Sequence, residues 1–214
     1  MKNTLLATAL FALAAACGGG DDNNTPDARV LPTSDARVDA GGGLPDAANS
    51  ASTVSTANFG AATLTGSAIF AEDNTYIAAF GGLEAGDPAD LLQVELFGDF
   101  GIFTGGPVTT GTFTIDATEA QYETCGVCVR LLTNVSGQNF DDDYLANGGT
   151  VTITAVPTAI GETFTASLSN ITMEHVTILD MAPFTSTPVG DGCETAITSA
   201  SFDGAAMDPN ARVS

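Results

Sequence analysis

Beyond Asn58 the chain alternates apolar and polar residues with a period of two, and turn-forming residues break the alternation into short runs. That period puts successive side chains on opposite faces of an extended strand. "TLTGSAIF" and "TYIAAF" predict a first strand pair around the turn-prone Glu72-Asp73-Asn74. "LLQVELFG" sets Leu92, Val94 and Leu96 against Gln93 and Glu95, the pattern of a half-buried strand. "GTFTID" alternates Phe113 and Ile115 with polar neighbours, and "GGTVTITAV" places Val151, Ile153 and Ala155 on one face. After the turn-like Pro157 to Gly161, "ETFTASLSNI" offers Phe164, Ala166 and Leu168, which predicts a hairpin. "MEHVTIL" and "AITSASFDG" supply later strands. No long window has a period of 3.6, and "DPADLLQV" holds a helical turn at most. Eight to ten short strands with turns between them predict an all-β, antiparallel two-sheet sandwich of jelly-roll or Ig-like character, with a closed β-barrel as the alternative.

Upstream of Asn58 the alternation is absent. Met1-Lys2-Asn3-Thr4 gives a short positive start, and Leu5 to Ala16 is uncharged and apolar. As a helix, a dozen residues span roughly 18 Å, whereas a bilayer core needs about 30 Å. A charged start, a short apolar run and small residues before a break make residues 1–16 a secretory signal peptide rather than a membrane span. Residues 17–57 are rich in Gly, Asp, Ala, Pro and Asn and carry two copies of Asp-Ala-Arg-Val, too few for a solenoid. They predict a disordered acidic linker whose roughly forty residues would reach on the order of 35 Å. A single β-domain is expected over 58–206, with 207–214 as a C-terminal tail.

The seam between the two segments reads "LAAACGGGDD". Ala14-Ala15-Ala16 directly before Cys17 resembles the lipobox of bacterial lipoproteins, whose common form has Leu three residues before the cysteine; here Ala14 stands there and Leu13 one place earlier. The resemblance covers residues 1–17 only and implies a lipid anchor on the Cys17 thiol. Gly18 rather than Asp after the cysteine implies the outer membrane, on its periplasmic or surface face, with secretion as the alternative. It carries no activity.

Charge narrows the partners. Five Lys+Arg against 26 Asp+Glu in 214 residues give a formal charge of −21, and the single lysine, Lys2, lies in the predicted signal peptide. Such a surface repels nucleic acid and anionic headgroups. The bilayer, reached through acyl chains, and an unidentified surface protein or glycan are the partners expected.

With Cys17 lipidated, Cys125, Cys128 and Cys193 are the disulfide candidates, since export favours oxidation. "TCGVCVR" is a C-x-x-C, but a thioredoxin-type site needs the pair at a helix start, and the flanks "QYET" and "VRLLTNV" read as extended. Residues three apart in a strand lie too far apart to bridge, while a β-turn around Gly126-Val127 brings them within about 7 Å. Loop entropy favours one of the pair bonded to Cys193, at about 4 kcal/mol for a loop of roughly 66 residues against about 2 for the short loop. Cys125, Cys128, His175 and Cys193 also make a possible zinc set that uses the one histidine. In "NFDDDYLANGG", Asn139, Asp141 and Asp143 have the alternation of a calcium loop, though Tyr144 stands where an EF-hand needs Gly. These two sets aside, no cofactor is implied.

Enzyme signatures are sparse. There is no G-x-S-x-G elbow and no phosphate-cradling G-x-x-x-x-G-K, and any histidine triad must use His175. No catalytic residue is nominated. The expectation is an exported lipoprotein whose β-domain is a binding or structural module at the cell envelope; the alternative is an extracellular hydrolase using carboxylates or a metal.

Overall fold

The computed structural model describes residues 56–179 and 181–209, and the statements below concern those. The predicted alternations become strands: β1 (Thr56–Asn58), β2 (Thr65–Phe70), β3 (Tyr76–Gly82), β4 (Ala89–Phe97), β5 (Gly111–Thr114), β6 (Val127–Val135), β7 (Asp143–Ala155), β8 (Thr163–Ile178), β9 (Ser186–Pro188) and β10 (Glu194–Ala205). Among the described residues the only helical element is a 3-10 turn at Gly101–Phe103. The protein is all-β.

The strands form one sheet in the order β1-β10-β8-β7-β6-β4-β3-β2, with β5 on β7 and β9 on β8. Every strand pair is antiparallel except β1 with β10. The sheet does not close into a barrel, which removes that alternative. Its two ends nevertheless meet at one point, where Met207 donates to the Ile69 carbonyl and accepts from Ala71 N–H. Met207, assigned to a tail on sequence, is therefore tied to the sheet.

"MEHVTIL" is not a separate strand; it continues β8 through Asn170, whose φ is 51°. The reason is a phase slip. Leu168 and Ile171 are both buried although three apart, so one residue is absorbed between them. The slip is matched on β7, where pairing shifts between Gly148 and Thr150. Gly149 makes it possible: its φ is +109°, and a Cβ there would meet the Asn170 carbonyl at 2.6 Å. Left-handed strain and overpacking together should make Gly149→Ala about 2 kcal/mol less stable in urea unfolding. An unchanged midpoint would contradict this account of the bulge.

The main core gathers Ile69, Ile77, Leu92, Val94, Leu96, Val129, Leu131, Tyr144, Val151, Ile153, Phe164, Leu168, Ile171 and Phe202. Strand β4 departs from the half-buried expectation, because Gln93 and Glu95 are buried as well. Their face is roofed by a second cluster of Tyr122, Cys125, Cys128, Leu145 and Val176, against which Phe97, Ile178 and Phe184 pack. The centre of the sheet is thus covered on both sides.

Candidate functional site

His175 lies near the end of β8 opposite Tyr144, and its ring stacks on the tyrosine at 5.2 Å between centroids. Its backbone holds the loop that follows β9: Val189 N–H donates to the His175 carbonyl, and His175 N–H donates to the Cys193 carbonyl. That loop carries Asp191 and Cys193 to the imidazole. Asp191 Oδ2 is 2.7 Å from His175 Nδ1, and Asp191 Oδ1 accepts from Cys193 N–H at 2.9 Å. On the other side of the ring, Asp142 Oδ1 stands 3.5 Å from Nε2. This oxygen is buried and accepts no hydrogen bond. The imidazole therefore sits between two carboxylates, with the buried Cys193 thiol beside it.

The two carboxyls differ. Burial works against the charge of Asp191, but hydrogen bonds from Cys193 and His175 outweigh it and hold the carboxyl down at about 2. Burial pushes Asp142 up, against the pull of His175, and the nearby Asp141, Asp191 and Asp90 push the same way. The arrangement suits a cation on the Asp191 side more than additional negative charge.

The neighbouring polar groups serve the fold. Arg130 of β6 grips Asp143 of β7 bidentately, Nη2 to Oδ2 at 2.5 Å and Nε to Oδ1 at 3.2 Å. Its Nη1 lies 3.7 Å from Glu95 Oε2, and its guanidinium covers the Tyr122 ring at 4.9 Å. Glu95 accepts from the hydroxyls of Tyr76 at 2.9 Å and Tyr122 at 2.7 Å. Burial, then the Glu95 charge, push both phenols above their usual range. A second device is Glu119, whose carboxylate accepts from Ile102, Gly126 and Val127 N–H at 2.8, 2.8 and 2.6 Å. Gly126 has to be glycine here, since a Cβ would meet the Phe100 carbonyl at 2.4 Å.

These contacts redistribute the residues singled out on sequence. Cys125 is bonded to Cys128, with Cα atoms 5.5 Å apart, so the long bridge to Cys193 does not form. Loop entropy favoured the long bridge, but the close approach across Gly126 decides the pairing locally. "QYET" is a turn rather than a strand, anchored to the β9 region where Ser186 donates to Glu123. The zinc set divides: Cys125 and Cys128 lose their thiolates to the disulfide, while His175 and Cys193 come together with Asp191 instead. The calcium set divides too, because Asp143 is engaged by Arg130 and Asp141 accepts from Asn134 Nδ2. Asn139 belongs to a tight turn with Ser136. Asp142, Asp191, Glu95, Glu119 and Arg130 were not anticipated; burial sets Glu95 and Glu119 apart from most of the 26 acidic residues, whereas Asp142 and the exposed Asp191 are marked only by their approach to His175. Cys17 lies outside the described residues. No protein-family model matches this chain, and neither a curated protein nor a solved structure matches it.

Proposed function

We propose that this is an exported bacterial lipoprotein, held in the outer membrane by acyl chains on Cys17, whose β-domain is a binding or structural module at the cell envelope. The domain is a two-layer sandwich of jelly-roll or Ig-like character, in which the long sheet folds over its main core and brings Met207 back to the end of β2. The observation that carries the reading is the Cys125–Cys128 disulfide, with both residues fully buried. Such a bond forms and persists in oxidising compartments outside the cytosol. It supports export independently of the residues that resemble a lipobox. Two or more acyl chains give stable attachment where one binds only marginally. An acidic spacer then keeps a domain of like charge clear of the headgroups.

The Cys17→Ser chain should leave the membrane fraction and lose incorporation of labelled palmitate, while the unaltered chain keeps both. Membrane retention of the variant would overturn the anchor.

A further inference from the structure

We propose that His175, Asp191 and Cys193 bind a zinc ion, and that Asp142 is the carboxylate that orients the imidazole for it. One ligand atom from each of the three residues lies within 4.8 Å of the others. Around a tetrahedral zinc, with bonds of about 2.0–2.3 Å, neighbouring ligand atoms stand roughly 3.5 Å apart. The His175 Nδ1–Asp191 Oδ2 pair, at 2.7 Å, opens by less than about 1 Å while the wider spacings, up to 4.8 Å, close by on the order of 1 Å around an ion, and two of the three ligands come from one short loop.

The donor chemistry selects the metal. An imidazole, a thiolate and a carboxylate form a mixed nitrogen, sulfur and oxygen set that suits zinc, whereas calcium and magnesium take oxygen ligands. With a neutral imidazole, the thiolate and the Asp191 carboxylate balance the two charges of the ion. A fourth position is left for water.

Asp142 provides an independent observation. Its buried Oδ1 accepts no hydrogen bond, although it stands 3.5 Å from His175 Nε2. The Nδ1 nitrogen now faces Asp191 at 2.7 Å. When Nδ1 binds the ion, the ring proton resides on Nε2 and is donated to Asp142, which satisfies that oxygen. The thiol proton goes to solvent. A carboxylate–histidine–zinc relay of this kind fixes the tautomer and raises ligand basicity. The metal would also protect Cys193 in a compartment that oxidises thiols.

The test uses the full chain carrying Cys17→Ser, with the Cys125–Cys128 disulfide intact, so that Cys193 is its one remaining thiol. Zinc and cobalt are the probes, and excess calcium occupies the acidic surface. One zinc per chain should survive dialysis, and cobalt should give the sulfur-to-cobalt charge-transfer band of a tetrahedral thiolate complex. Asp142→Asn should keep that band while weakening zinc binding about 10- to 100-fold, the range for losing a carboxylate behind a histidine ligand. Cys193→Ala should abolish the band. No retained zinc, or a cobalt complex without sulfur absorption, would overturn the proposal. The band in the Cys17→Ser chain decides this even where a further substitution fails to fold.

Discussion

Arg130→Met should lower the free energy of unfolding by about 3–5 kcal/mol, the range for removing one partner of a buried ion pair. The loss is large because of what stays behind. Asp143 and Glu95 are 6% and 3% exposed, and without the guanidinium two carboxylates share a water-poor face of the sheet. The Tyr76 and Tyr122 hydroxyls satisfy Glu95 in part, whereas both carboxylate oxygens of Asp143 accept from Arg130. Urea unfolding of the two proteins measures the difference. The combination Arg130→Met, Asp143→Leu and Glu95→Gln should recover much of it, because replacing a whole buried ionic set by groups of similar shape is often neutral. A single-variant loss under about 1 kcal/mol, the range of exposed pairs, would mean that water reaches the cluster.

Glu119→Ala should cost about 3 kcal/mol, since it removes a charged acceptor from two buried N–H groups and a third that is partly buried. The carboxylate ties the 3-10 turn at Gly101–Phe103 to the start of β6, at the two residues enclosed by the Cys125–Cys128 disulfide. Its removal should therefore speed amide exchange at Gly126 and Val127 more than in the centre of β8. Glu119→Gln keeps the shape and one acceptor, and should fall between the variant and the unaltered protein. Uniform exchange across the sheet in Glu119→Ala would show that the clamp does not act locally.

Both predictions rest on charges that alternation alone does not reveal. Glu95 occupies the polar phase of "LLQVELFG" and reads as a solvent-facing residue, yet it is buried beneath Tyr122. Period two assigns a side chain to a face but does not say whether that face meets water. The covering comes from the segment between β5 and β6 and from residues after β8, distant in sequence and irregular in form. The cysteines show the same gap. Their presence in a chain expected to be exported called for a disulfide, but polymer entropy ranked the long loop first, and only the approach of Cys125 to Cys128 made the short one the pair. At the candidate site, His175 and Cys193 were legible as rare reactive residues, while Asp142 and Asp191 were two acids among many.

The all-β class and most of the strands were legible in the order of residues, because alternation and turn residues are local properties of the backbone. It also held the lipobox-like seam at Cys17, on which the proposed anchor rests. Tertiary structure alone decided that "MEHVTIL" continues β8, that the sheet stays open, and that the polar face of its centre is buried around Arg130. It alone placed Asp142, His175, Asp191 and Cys193 together. These are contacts between residues far apart in the chain, set by how the sheet curls and which loop covers it, and no local period encodes them.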